Sequence, residues 1–193
     1  MEEMFTGLGN TLKRYITPSE DELATFTEPW EAFSFEKNTI ISDYGQTERY
    51  FYYVHEGLIR GYFIKHGVEY NIGFSYNGDY SGIYDSFISQ QPATWTLETI
   101  DTSKGLRIEY NKLMALLDNH KFMERWLRLF YQQVLVGFGI FTKSILADSA
   151  EEKFNRLINQ SPHVVQMIPQ KHLASYLGMT PETFSRMRKK TMN

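Results

Sequence analysis

Cysteine is absent from all 193 residues, which removes disulfide staples, a thiolate nucleophile and iron–sulfur ligation together. Histidine is scarce, with five in the chain, and only His55 and His66 fall where β-favouring residues concentrate. Without a His-x-His pair there, a cupin-like metal-dependent enzyme lacks its ligand cluster. A haem would find only these two isolated histidines as axial candidates. Asp79, Asp85 and Glu98 are the acids on offer, and nothing in the pattern sets them beside a nucleophile. No apolar run approaches the roughly 20 residues of a membrane helix. The opening MEEMFTGLGNTLKRY also lacks the basic-then-apolar order of a signal peptide. The expectation is a cytoplasmic protein that is not an enzyme, holds no metal and has no membrane partner.

What is present is a real core and an uneven charge. Hydrophobic residues make up 42% and aromatic residues 16%, the latter high for a soluble chain. The net charge of −3 conceals a split. Residues 151–193 carry seven Lys/Arg against three Glu, a balance of +4, and the remainder carries 13 basic against 20 acidic residues, a balance of −7. An acidic body repels nucleic acid while a small basic end attracts it.

Residues 1 to about 31 read as mostly helical, with Ser19 capping EDELATF. From Ala32 to about Tyr110, YFYYV, LIRGYFI, EYNIGFS and TWTLETI read as short strands. Turn signals separate them at 56–57, 66–67, 77–79 and 90–92. Strands at this spacing imply an all-β sandwich or barrel. KLMALLDNH is a short helix, and about Phe122 to Ala147 is a long one. Met123, Leu127, Phe130, Val134, Phe138, Phe141 and Ile145 recur on it at spacings of three and four, the seam of a dimer helix. Ser149 caps a further helix, Pro162 ends it, and VVQMI is briefly strand-like.

The densest information lies in LASYLGMTPETFSRMRKK, residues 173–190. Leu173 and Leu177 are one helical turn apart, and Ala174 admits a close neighbour. Gly178 stands where a helix needs a left-handed terminating residue. Thr180 is then a good N-cap, Pro181 suits the first helical position and Glu182 favours a helix N-terminus. At about 100° per residue, Glu182, Ser185, Arg186 and Lys189 share one face, while Phe184 and Met187 share the other. Arg bonds guanine O6 and N7, Glu accepts from cytosine N4, and Ser serves either role. Arg188, Lys189 and Lys190 suit phosphates, which position without specifying. This is a helix-turn-helix for double-stranded DNA.

A β-roll, a long helix and a C-terminal helix-turn-helix, in that order, resemble the Crp–Fnr family of bacterial transcription regulators. LASYLGMTPETFSR looks like the family's motif, in which ET–SR heads the recognition helix. SAEEKFNRLI…IPQKHLASYLGMTPETFSRMRKK is especially similar to the shortened members common in Bacteroidetes, which lack a wing after the motif. The resemblance implies an α+β protein with a jelly-roll sensor over 1–120, a dimerisation helix over 121–147 and a DNA-binding domain over 148–193. It implies base reading by Glu182, Ser185 and Arg186, and backbone contacts from Gln170, Lys171, Thr180, Thr183, Arg188, Lys189 and Lys190. Its partners would be DNA, a second copy and RNA polymerase. The family's cyclic-nucleotide cassette matches GDYSGIYDSFISQQPATW. Gly82 keeps the glycine, but Ile83 stands for the ribose-binding glutamate and Ala93 for the phosphate-binding arginine, beside Thr94. A phosphate buried without that guanidinium is left uncompensated, so no cyclic AMP is expected and any effector is unidentified. Phe74, Gly82, Ile83, Tyr84, Ala93, Thr94 and Trp95 would line its pocket. The other readings are the cupin-like enzyme and a protein-interaction module whose helix-turn-helix no longer touches DNA.

Overall fold

Two serines start helices by the same device. Ser19 and Ser149 each accept a backbone N–H from the glutamate three residues on, while Glu22 and Glu152 return a carboxylate to the serine N–H. These capping boxes satisfy donors that a helix start otherwise leaves orphaned. The computed structural model describes residues 1–192. It opens with α1 (Glu2–Lys13) and α2 (Glu20–Thr27), then β1 (Glu31–Phe35), β2 (Ile40–Ser42), β3 (Tyr50–Lys65), β4 (Val68–Tyr76) and β5 (Tyr80–Ser81). A short α3 (Tyr84–Ser89), β6 (Thr96–Glu109), α4 (Tyr110–Asn119) and the long α5 (Lys121–Ala147) follow. The end is helical: α6 (Ala150–Gln160), α7 (Val164–Met167), α8 (Gln170–Tyr176) and α9 (Pro181–Met192).

The six strands form one sheet in the order β1-β6-β3-β4, with β2 also on β6 and β5 on β3. The β1–β6, β2–β6 and β3–β5 pairs are antiparallel. This is a jelly-roll β-roll with helices, the α+β class expected. YFYYV and LIRGYFI are not two strands, however. β3 runs through Glu56-Gly57 without a turn, because Gly57 takes φ +118 inside the strand. A Cβ there would lie 2.5 Å from the Ser103 backbone, so the position is a close approach and not a corner. The sequence pattern does not mark α3, and VVQMI, which reads as strand-like, is a helical turn whose Val164 and Val165 are buried. The apolar run of α7 is spent on the helical core, beside buried Ile168 and Leu173 in the same unit.

The chain divides into two units. One comprises Met1–Gly61 and Phe74–Gln133, and the other Tyr62–Gly73 and residues from Val134 onward. The division therefore falls within α5, where a three-part reading (1–120, 121–147, 148–193) would keep that helix separate. In the first unit Phe26, Trp30, Phe51, Tyr80, Trp126 and Phe130 are all buried. Their rings meet at 5.0 Å for Phe26–Trp126, 5.0 Å for Phe51–Tyr80 and 5.2 Å for Tyr80–Phe130, within aromatic-pair range. In the second, Phe154 and Phe184 meet edge-on at 5.2 Å, among buried Val164, Val165, Ile168, Leu173 and Leu177. The hairpin end that belongs to this unit is tied to α8, since Ser175 Oγ accepts from Asn71 N at 3.0 Å and donates to the Glu69 carbonyl at 2.9 Å.

α5 also corrects the expectation that no segment is apolar enough for a bilayer. It is 27 residues long and contains a window of mean hydropathy 1.3, which meets the length and composition of a membrane span. Interrupting polar residues hide this in the sequence. Only 11% of that window is buried within the chain; the helix's buried apolar residues Met123, Trp126 and Phe130 lie in its first half, in the roll's core.

Candidate functional site

α8 stops and α9 starts within four residues. Leu177 leaves the helical conformation, and Gly178 takes φ +65. Gly178 N–H then donates to the Ser175 carbonyl and Met179 N–H to the Ala174 carbonyl, both at 3.0 Å. This closes the helix end in a Schellman motif, for which glycine carries no Cβ penalty. Thr180 Oγ1 accepts the Thr183 N–H at 3.2 Å and so caps α9. Leu173, Ala174, Leu177 and Phe184 are buried between the two helices. Because they are, the opposite face of α9 is left outward. Glu182, Arg186 and Lys189 are exposed and Ser185 is half-buried, and together with Gln170 they line one open depression of about 590 Å³. The Glu182 carboxyl is held below the usual range by the backbone N–H at the helix start and by Thr180, so it stays an acceptor. An anionic acceptor, a hydroxyl, an amide and two cations on one surface are a hydrogen-bonding set suited to base edges and phosphates.

The remaining candidates on this end do not join that surface equally. Lys171 is exposed on α8. Thr180 and Thr183 are engaged with one another in the cap. Arg188 is half-buried, and at about 100° per residue it lies on the Phe184 side of α9. Lys190 turns to α6, where its ammonium meets the Glu151 carboxylate at 2.7 Å. Of the three terminal cations, Lys189 alone shares the depression with Arg186. Charge density on a helix says how many cations there are, and only packing says which way each is turned.

The seam on α5 divides in the same manner. Met123 is 0% exposed and Phe130 6%, so both are used by the chain's own core and have no surface for a second copy. Leu127, Val134, Phe141 and Ile145 are half-buried, and Phe141 stacks on Tyr176 at 4.7 Å. Only Phe138 stands well out. The exposed stripe keeps Phe138, 65% exposed, and otherwise runs through residues the seam omitted, Leu135 at 70% and Leu146 at 80%. Leu135, Phe138, Thr142 and Leu146 fall on one face. A core-facing row and a partner-facing row have the same period, so periodicity alone merged them.

In the roll, the residues expected to line an effector pocket are largely the core itself. Ile83 and Ala93 are buried in a cluster with Phe33, Tyr52, Val54, Ile59 and Leu97, and Trp95 packs on its edge. Gly82 is buried and Phe74 and Tyr84 are half-buried, with Thr94 exposed. Trp95 Nε1 donates to Asp85 at 3.0 Å. One carboxylate unnoticed in the sequence sits beside them. Glu48 is 2% exposed and accepts backbone N–H groups from Arg49 at 3.0 Å, Tyr50 at 3.1 Å and Ile83 at 3.4 Å. Burial raises its carboxyl above the ordinary range, against the lowering from these N–H groups and from Ser42. Its own N–H is received by Ser86 Oγ at 3.0 Å. The polar run DYGQTERY reads as loop, and no periodicity marks Glu48 as internal. Among the described residues no group of three or more His, Asp or Glu is placed to hold a metal ion.

Residues 32–120 match the model of the cyclic nucleotide-binding domain, the stretch that the roll from β1 through α4 occupies. Among solved structures, FixK2 from Bradyrhizobium japonicum is similar at a TM-score of 0.75 and 18% identity, with 84% of each chain covered. The c-di-GMP-responsive global regulator CLP from Xanthomonas campestris is similar at a TM-score of 0.63 and 17% identity, covering 88% of this chain and 90% of that one. The catabolite activator protein of Thermus thermophilus gives a TM-score of 0.58 at 18% identity, covering 94% and 86%. No curated protein matches the chain by sequence. At these identities the structural likenesses establish a shared fold.

Proposed function

We propose that the chain is a homodimeric, sequence-specific DNA-binding transcription regulator of the Crp–Fnr family, of the shortened type, acting in the cytoplasm with RNA polymerase as a partner. Its sensor would span 1–120, its dimerisation helix 121–147 and its DNA-binding domain 148–193. The observation that carries this reading is the single depression on which Gln170, Glu182, Ser185, Arg186 and Lys189 meet, backed by a capped, well-packed two-helix unit. The fold shared with FixK2, CLP and the catabolite activator protein supports it. Each α9 would enter a major groove, with half-sites about one helical turn apart. The stripe of Leu135, Phe138 and Leu146 supplies the apolar surface for pairing.

The roll, on this reading, does not respond to cyclic AMP. Where a phosphate would need a cation, this chain has buried Ala93, and the Ile83 N–H is already engaged by Glu48. A second anion beside a buried carboxylate is disfavoured by both repulsion and desolvation.

The test is selection of binding sites from random DNA, followed by affinity against salt for two variants. R186A should lose about 1–3 kcal/mol on the selected site and almost nothing on random DNA. K189A should weaken both alike and lower the salt slope by about one. No enriched sequence, or equal losses on both DNAs for both variants, overturns the reading. Sedimentation velocity checks pairing: F138D should shift the dimer towards monomer, since a carboxylate in an apolar interface has no partner.

A further inference from the structure

The end of α8 is held by two consecutive residues that face different elements of the same unit. Tyr176 stacks on Phe141 of α5 at 4.7 Å. Ser175 meets the β3–β4 hairpin, whose tip, Tyr62–Gly73, belongs with the helices and not with the roll. β4 ends the strand order, so one of its edges has no strand beside it among the described residues. Such an edge presents a row of N–H and C=O groups that another segment can pair with. On it, Asn71 N–H donates to Ser175 Oγ at 3.0 Å, and Ser175 Oγ donates to the Glu69 carbonyl at 2.9 Å. One hydroxyl does for Glu69 and Asn71 what the backbone of a further strand would do. Asn71 is 5% exposed, while Tyr70 and Ile72, which face the other way, are 42% and 37% exposed.

This use of a serine is unusual for its position. A serine inside a helix commonly returns its hydroxyl to the carbonyl three or four residues back, and alanine suits such a position better. Ser175 turns its hydroxyl away from α8 to a strand more than 100 positions distant in sequence. The two attachments of α8 also differ in kind. Apolar contact is non-directional and tolerates sliding, whereas hydrogen bonds weaken steeply with angle. Tyr176 therefore keeps α8 against α5, and Ser175 fixes where on the hairpin it stands. α8 carries Gln170 and leads through the Gly178 turn into α9, so its position sets that of the DNA-facing depression.

We propose that Ser175 is a positioning residue, a clasp between the hairpin and the helix-turn-helix that fixes how α9 is presented. The clasp is a property of the free chain, and its use rests on the DNA-binding reading above. Because β3 and β4 run from the roll into this unit, the clasp gives the roll a second connection to α9, beside α5. Two copies on one site must hold their α9 helices about one turn of DNA apart. The second half-site is engaged at an effective concentration that falls when the geometry is loose. A loosened clasp lets each α9 swing, so the pair tolerates wrong spacings and holds the right one less tightly. A single α9 on a half-site is indifferent to it.

The first arm of the experiment needs no DNA. Asn71 amide exchange is compared in the wild-type chain, S175A, S175V and S175T. S175A and S175V should speed it about three- to tenfold, as one lost hydrogen bond requires. S175T has the shape of S175V but keeps the hydroxyl, and should restore protection. With no native cysteine, I64C and K171C carry two unique spin labels, one on the hairpin and one on α8. A labelled protomer diluted in unlabelled chain reads their distance, whose distribution should broaden in S175A and not in S175T. The second arm measures affinity for the selected site, its half-site, and versions with one base pair added or removed between half-sites. A changed spacing should cost the wild-type chain more than about tenfold and S175A only a few-fold. S175A should lose several-fold on the intact site and nothing on the half-site. Unchanged Asn71 exchange or an unchanged label distribution in S175A overturns the clasp. An equal spacing penalty in both chains, or an equal loss on half-site and full site, overturns its positioning role. A wild-type chain that selects no DNA overturns the regulator reading and the positioning role with it, while the first arm still decides the clasp.

Discussion

In the roll, Glu48 is folded away from water and satisfied by backbone N–H groups from two segments. In the helical end, Asp148, Glu152 and Glu182 stand at or beside helix starts, where hydroxyls and N–H groups reach them from the surface. Burial raises the first carboxyl above its ordinary range. Hydrogen bonding lowers the others: Ser144 then Arg156 for Asp148, Ser149 for Glu152, and the backbone then Thr180 for Glu182. The aromatic residues divide similarly. Burial raises the Tyr52, Tyr80 and Tyr84 phenols, while the helical end turns its functional polar groups outward. One region turns a carboxylate inward among backbone N–H groups; the other turns its carboxylates outward. The proposed loss of cyclic-nucleotide sensing and the proposed retention of DNA binding are these two treatments of polar groups.

The sharpest way to break the comparison is to damage one core and ask whether the other notices. Trp126 is fully buried and meets Phe26, Phe51 and Tyr80. W126A should cost the roll about 3–5 kcal/mol. The other two tryptophans, Trp30 and Trp95, also lie in the first unit, so their fluorescence reports the roll alone. Far-UV circular dichroism and the shifts of Phe154 and Phe184 report the helices. Fluorescence melting should fall steeply while the Phe154–Phe184 signals melt as before. Equal shifts in both would show that the two units unfold as one, and the contrast would then be structural without being energetic.

A smaller perturbation probes the helical end from its own side. T180A removes the Oγ1 that accepts the Thr183 N–H and should cost about 1 kcal/mol. Amide exchange at Thr183 and Phe184 should speed up accordingly, T180S should restore protection, and the tryptophan melt should not move. Protection unchanged in T180A would mean that water replaces the cap at no cost.

These local devices were the most legible part of the chain. The Ser19 and Ser149 caps, the Gly178 stop and the two-faced α9 all follow from residues within four positions of each other, where steric and hydrogen-bond rules act directly. The strand region was legible as a class and not in detail. Glu56-Gly57 reads as a turn, and it is the approach of Ser103, some 46 residues away, that makes it a straight close contact. The seam on α5 had the right period but not the right partner, since Met123 and Phe130 obey the same spacing as Phe138. Glu48 was invisible for a similar reason. A carboxylate in a polar run is buried only because Ile83 and Tyr50 come to meet it.

The finest test compares the two regions by acid alone. A carboxyl whose value is raised on folding keeps its proton in the native state at pH values where the unfolded chain has lost it. The native state then binds more protons, so stability falls as pH rises. Glu48's contribution is therefore fully present below its ordinary value of 4.5 and is lost through the interval above it. For Asp148, Glu152 and Glu182 the sign reverses, since their values are lowered. Their contributions are present above the ordinary values of 3.8 for Asp and 4.5 for Glu and are lost on acidification through the lowered ones. Between neutral pH and about pH 5, the roll's fluorescence melt should rise on acidification while the helical signals stay level. E48Q holds the side-chain shape without a titrating group, so its roll melt should lose most of that slope. An unchanged slope in E48Q would place the titrating group elsewhere in the roll, and the contrast between an inward and an outward carboxylate would no longer account for the acid response.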